Sequence, residues 1–311
     1  MKNQIIIFSL SVFVLVACLF LLFGRNSAPK PRVPQQASQK IEEVPPPREF
    51  HHQSTVTPEF HSEELAATFK PLAGDDFREL KRFFDQHHDL ILDEVSLVEV
   101  AKFIGTKNVP NLGAHLVLAN QALSLAQNQL QMPEEVFDIL AGLIIDDRLA
   151  PELRGYTLQH LSTWYERTPV PSQKPKMVRM FIEHASHANA DIAGTSLLAL
   201  SRISQDYPKD VESGVIKQLA RNLAEDESMG SIARIAAVQV CGELGMGEML
   251  PLVMDLALHG EPVLLRMAAL ATVGEIGNQD ERPFLLEIAA SPEPRLQIPA
   301  QTALGKLSSK N

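Results

Sequence analysis

RIAAVQVCGELG, residues 234–245, returns 32 positions later as RMAALATVGEIG, residues 266–277, with Arg, Ala-Ala, Gly-Glu and Gly in register and only the apolar positions exchanged. The equivalence runs on: Pro251 matches Pro283, Leu252 matches Phe284, Asp255 matches Glu287, Ala257 matches Ala289 and Pro262 matches Pro294. A third copy follows, where Leu304, Gly305 and Leu307 fall 31 residues after Val273, Gly274 and Ile276. Self-similarity at this period is the mark of stacked supersecondary units, and it takes precedence over any other architecture for the stretch.

Each unit divides into two helices, because strand signals are almost absent after His61 and helical periodicity prevails. Helix A, as in PLVMDLALHG, ends at Gly260, and Pro262 is predicted to open helix B at the first position, where a missing amide donor costs nothing. In helix B, Leu265, Ala269, Val273 and Ile276 recur at helical spacing and predict one apolar stripe. The small residues Ala236, Ala237, Ala268 and Ala269 allow close helix approach, and Gly245 and Gly277 are predicted to end the helices in the left-handed conformation that glycine adopts cheaply. Going backwards, TSLLALSRIS (195–204), RGYTLQHLSTW (154–164) and GAHLVLANQAL (113–123) read as further B helices, with Arg154 on Arg234, Leu158 on Val238 and Trp164 on Leu244. PEEVFDILAGLII, KMVRMFIEHAS and DVESGVIKQLARNL read as their A helices, with Pro133 and Pro151 marking starts. About six pairs result over residues 93–311, an all-α solenoid. Residues 62–92 are expected to add two helices that cap the stack's N-terminal end.

The pattern RxAAxxxLGxxG, preceded by a short A helix and Pro, resembles the HEAT-like repeats of the phycobilisome-lyase type, well over residues 230–307 and loosely over 110–229. That resemblance implies a HEAT-like α-solenoid that binds protein along a concave surface lined by B helices. It implies little about activity, because such repeats serve accessory subunits, scaffolds and regulators alike. The last copy departs from the pattern, with Gln297 in place of the Arg and Pro299 in place of the first Ala, as a worn terminal unit would.

Ahead of the repeats, Ile5 to Phe23 run 19 residues without a charge. As a helix they would cover about 28 Å, close to the hydrocarbon thickness of a bilayer. An uncleaved N-terminal transmembrane anchor over residues 1–24 is the preferred reading. The tetrapeptide LVAC also resembles a lipobox, which would make Cys18 an acylated N-terminus, although LFLLF after it stays apolar; a cleaved signal is the third reading. Residues 25–61 carry Pro29, Pro31, Pro34, Pro45, Pro46, Pro47 and Pro58 among Gln and Ser with few large aliphatics, and they read as a disordered, semi-extended linker. A count of Arg25, Lys30 and Arg32 against Lys2 favours a cytoplasmic body, whereas a four-residue head before an apolar run favours export; we expect the solenoid to be extracytoplasmic, as in a periplasm.

Charge narrows the partners. Of the chain's 28 basic and 38 acidic side chains, residues 1–61 hold six and four, leaving 22 against 34 in the body. A body that acidic repels phosphate backbones, so nucleic acid is not an expected partner. Glu225, Asp226, Glu227, Glu243, Glu248, Glu261 and Glu275 are expected to give the binding face or its rim negative potential that favours a basic protein. Gln239, Glu243, Arg266 and Glu275 are the candidate partner-binding residues. For Arg154, Arg234 and Arg266, however, a structural bond to a neighbouring acidic side chain or helix terminus competes with a basic ladder and is the favoured reading. His184 and His187 lie at i and i+3 without further ligands at a recognisable spacing, so they read as surface histidines, and no metal or cofactor is expected. No GxSxG, HExxH, Walker or GxGxxG element occurs, and no enzyme is expected. The leading function is a membrane-tethered protein–protein interaction scaffold; the alternative is an accessory or catalytic protein acting on a cofactor or cell-envelope component in the concave groove.

Overall fold

The structure, a computed structural model, describes residues 76–87, 90–129, 132–167 and 172–310. Every described residue belongs to one compact unit, which falls within Val56–Asn311. The expected anchor, the linker and the first half of the expected N-terminal cap lie outside the described residues. Among the described residues no helix is long and apolar enough to cross a membrane.

The described residues form thirteen α-helices and no strand. They are α1 (Asp76–Gln86), α2 (Glu94–Ile104), α3 (Leu112–Gln127), α4 (Glu134–Ile145), α5 (Pro151–Arg167), α6 (Lys174–His184), α7 (Ala190–Asp206), α8 (Ser213–Glu225), α9 (Ser231–Glu243), α10 (Leu250–His259), α11 (Val263–Ile276), α12 (Arg282–Ala289) and α13 (Pro294–Ser308). From α2 onward even-numbered helices are A and odd-numbered ones B. Each A helix packs on the B helix that follows it, and each B helix packs on the next, from α3 through α13. This repeat packing makes six pairs and fits an α-solenoid; α1 lies against α3 at the front.

Local chemistry explains the boundaries. Asp93, Asn111 and Asn189 cap α2, α3 and α7 by accepting hydrogen bonds from amides in the first turn. Pro151 and Pro294 stand at the first position of their helices, and Pro251 and Pro283 stand in the first turn of theirs, where no amide is missed. Pro262 lies one residue outside α11, at the N-cap instead of the expected first position. After α9, Gly245 takes φ +60°; its amide donates to Gly242 O and the Met246 amide donates to Cys241 O, closing the helix as predicted. Gly277 does not repeat this conformation. Its φ of −76° and ψ of 173° are extended, and a side chain there would meet Val273 O at 2.6 Å. Glycine is needed at 277 for clearance, not for handedness.

The apolar stripe of helix B is wider than its spacing suggests. Leu265, Ala269 and Val273 are fully buried, but so are Leu270 and Thr272, because α11 is enclosed by α9, α13 and α10 together. A helix covered on several sides buries residues around its circumference. Backbones approach most closely between B helices: a Cβ on Gly274 would meet Ala303 Cα at 2.8 Å, and one on Gly242 would meet Thr272 Oγ1 at 3.2 Å. Thr272 Oγ1 in turn donates to Val238 O of α9 at 2.9 Å, so this contact is tied as well as packed.

Candidate partner-binding site

Antiparallel A and B helices sort the surface residues to two edges. The A-to-B turns form one edge; the B-to-A turns, with the C-terminal ends of the B helices, form the other. The acidic residues expected to make one face divide between them. Glu225, Asp226, Glu227 and Glu261 lie at A-to-B turns, whereas Glu243, Glu248 and Glu275 lie at the B-to-A edge. Several are also engaged: Asp226 accepts from Ser228, Glu248 pairs with Arg221 at 2.8 Å, and Glu275 pairs with Lys306.

The same division separates the four candidate residues. Gln239, Glu243 and Glu275 come together along the B-to-A edge, and Arg266 does not join them. It sits near the start of α11, where its Nε donates to Ala257 O at 3.1 Å. Arg154 and Arg234 repeat the arrangement, donating to Ile144 O at 2.7 Å and Ala224 O at 3.3 Å. In each unit the guanidinium satisfies a carbonyl in the last turn of the preceding A helix, where the helix dipole favours a cation. Arg154 is 4% exposed and also pairs with Asp147 at 2.7 Å. The three arginines therefore cap helices, and Arg266→Ala is expected to lower unfolding free energy by about 1–2 kcal/mol, the scale of a charged hydrogen bond. Urea titration of the variant checks this, and unchanged stability would refute it.

Along the B-to-A edge, Arg202, Glu243, Glu275 and Lys306 occupy equivalent positions in α7, α9, α11 and α13, and each reaches toward a neighbouring B helix. Arg202 pairs with Glu166 of α5 at 2.6 Å. Glu243 accepts from Ser201 Oγ of α7 at 2.8 Å, from Gln205 Nε2 at 3.4 Å and from Gln239 Nε2 at 3.0 Å. All of these donors are neutral, and among the described residues no cation pairs with Glu243. Glu275 is linked to Lys306, and Lys310 Nζ donates to Gly277 O at 3.0 Å just beyond α11.

A second cluster on this edge was not foreseen. Tyr165 of α5 and Tyr207 after α7 meet edge to face at 5.7 Å, and Lys174 Nζ lies 4.8 and 4.2 Å from their ring centroids. Tyr165 Oη donates to Asp210 at 2.6 Å, and burial pushes its phenol well above the usual tyrosine range. The available signal was the pair of tyrosines one repeat apart at the ends of successive B helices. Cation–π contact and the Asp210 bond close the joint between those units.

The remaining titratable groups have structural partners. His160 of α5 lies between Gln127 Oε1, 2.6 Å from Nδ1, and Asn120 Oδ1, 3.0 Å from Nε2, both on α3. Two oxygens would suit an imidazolium, but burial pulls the pKa down to about 4, so the ring is neutral near pH 7 and one amide presents its NH2 instead. Because the unfolded ring takes a proton more readily, stability is full above about pH 6.5 and falls as pH drops toward 4. Burial of His115 and His184 acts in the same direction. Denaturant titrations at pH 7 and pH 5 are expected to show this loss, and His160→Gln to show less of it; equal slopes in both proteins would contradict the assignment.

His184 and His187 stand with ring centroids 6.3 Å apart, and His187 Nδ1 accepts from the Asn189 amide. Among the described residues no group of three or more His, Cys, Asp or Glu is placed to hold a metal. Cys241 is buried inside α9, with its thiol pushed up to about 12 by burial. What the edge offers chemically is a row of oriented hydrogen-bonding and ionic groups on a rigid helical support.

The family described as HEAT repeats matches residues 222–305. A designed armadillo repeat protein of known structure is similar at 14% sequence identity, covering 79% of this chain and 100% of its own length, with a TM-score of 0.37. No curated protein matches the chain. Residues 222–305 thus match HEAT repeats, and the helices ahead of them continue the same paired packing.

Proposed function

We propose that the chain is a protein-interaction scaffold, held at a membrane by residues 1–24, whose B-to-A edge takes a protein partner. The observation that carries the reading is Glu243, held by Ser201, Gln205 and Gln239 and, among the described residues, paired with no cation, within a row running from Arg202 to Lys306. Such a carboxylate is poised to receive a lysine or arginine of a partner, with little further ordering to be lost on binding. The partner is therefore a protein that offers a basic side chain to Glu243. Within the HEAT-like class, the RxAAxxxLGxxG spacing favours the phycobilisome-lyase type as kin, and no catalysis is part of the proposal.

The test is co-purification with the full chain at low salt, followed by crosslinking and mass spectrometry. A stoichiometric protein that is lost at high salt and lost in Glu243→Lys, with helical content unchanged, is the expected result. Retention of a small molecule alone, or capture indifferent to both salt and Glu243→Lys, would overturn it. An extracytoplasmic body is part of the same proposal. Alkaline phosphatase fused after Asn311 should be active, and an inactive fusion would place the body on the other side.

A further inference from the structure

The donors already on Glu243 limit what it can still accept. A carboxylate offers about four lone-pair directions, two on each oxygen. Oε1 receives one donor, Gln239 Nε2 at 3.0 Å from within α9. Oε2 receives two from α7, Ser201 Oγ at 2.8 Å and Gln205 Nε2 at 3.4 Å. Both directions of Oε2 are therefore taken, and one direction of Oε1 is open. The donors on Oε2 also hold one another: Gln205 Nε2 lies 3.4 Å from Ser201 Oγ as well, so its amide spans the serine and the carboxylate. Ser201 is 1% exposed, and its bond to Glu243 crosses the contact between α7 and α9. Neighbouring cations of the row are engaged by other carboxylates, Arg202 by Glu166 of α5 at 2.6 Å and Lys306 by Glu275.

The two basic side chains place different demands on such an acceptor. A guanidinium forks, giving one N–H to each carboxylate oxygen. Here its second N–H would meet an oxygen whose directions are filled, beside the N–H and O–H groups that fill it. An ammonium is a compact charge that needs one acceptor direction and can leave its other N–H groups in water. Glu243 stands exposed, so that water is at hand.

We propose that the Glu243 site selects lysine over arginine, and that Gln205 sets this preference by closing Oε2. The inference rests on the reading of Glu243 as the receiver of a partner's cation and adds which cation it receives. Removing the Gln205 amide reopens one direction of Oε2, and with the open direction of Oε1 this restores a place for the fork.

Fluorescein-labelled octalysine and octaarginine, titrated by anisotropy against the full chain in a neutral detergent at low salt, test it. Glu243→Gln isolates the contribution of this one carboxylate from that of the rest of the acidic body. In the wild-type background Glu243→Gln should weaken octalysine about three- to fivefold, the upper range of an exposed ion pair, and octaarginine less than about twofold. In the Gln205→Ala background the same substitution should weaken both peptides alike. Gln205 is exposed in the last turn of α7, so helical content should not change. A loss for octaarginine equal to or larger than that for octalysine in the wild-type background would overturn the preference. A lysine preference that survives Gln205→Ala would overturn the role of Gln205. Binding of both peptides indifferent to Glu243→Gln would instead overturn the reading of Glu243 as a cation receiver, and this inference with it.

Discussion

Trp164→Ala is expected to lower unfolding free energy by about 3–5 kcal/mol, the cost of deleting a large aromatic from a site that cannot collapse around the void. Trp164 is fully buried, and it lies inside α5 between Leu161 and Tyr165, which are buried too. Its equivalent in the repeat, Leu244, stands at the C-cap of α9 and is only half-buried. The difference arises because α5 has 17 residues and α9 has 13, so the register that ends one helix falls within the other. Neighbours held by the Tyr165–Asp210 bond and by packing against α7 are poorly free to move inward. Equilibrium unfolding by urea, followed by circular dichroism because the single tryptophan is lost, measures the change. A loss below about 1 kcal/mol would mean that the site relaxes and that the front of the array is loosely packed.

Gly274→Ala should also destabilise, by about 1–3 kcal/mol, against the ordinary preference of a helix for alanine. The new methyl would sit 2.8 Å from Ala303 Cα and 3.0 Å from Ala303 Cβ. The obstacle is main chain and the root of a side chain, so no rotamer change relieves it; α11 and α13 must separate. Gly155→Ala is the control, because glycine in α5 has no neighbour within 4 Å of the added carbon, and it should stabilise by up to about 1 kcal/mol. If both substitutions shift the midpoint in the same direction, close contact at Gly274 is not what limits the interhelical distance.

Much of the array was legible because its punctuation is steric. Gly245, Pro251, Pro283 and the Ala-Ala pair have roles that follow from size or from a missing donor, and these roles survive translation by one repeat. Gly277 shows the limit of that logic. Glycine satisfies both a left-handed turn and a crowded extended one, and only the position of Val273 O distinguishes them. The candidate site was less legible. Gln239 and Glu243 could be paired from i,i+4 spacing, but Ser201 and Gln205 come from α7, and contacts between helices carry no local spacing signal. For Arg266 the favoured reading, a structural bond to a helix terminus, is met by its donation to Ala257 O, although the residue also stood among the candidates for partner binding. The acidic residues form no single face because a residue's position along its helix, not its nearness in sequence, decides the edge it occupies.

The succession of B helices has a mechanical corollary. Since α5 touches α3 and α7, and α11 touches α9 and α13, cohesion among the described helices is passed hand to hand from each unit to the next. Such a chain of couplings acts locally, so a lesion in one link is felt chiefly by the two beside it.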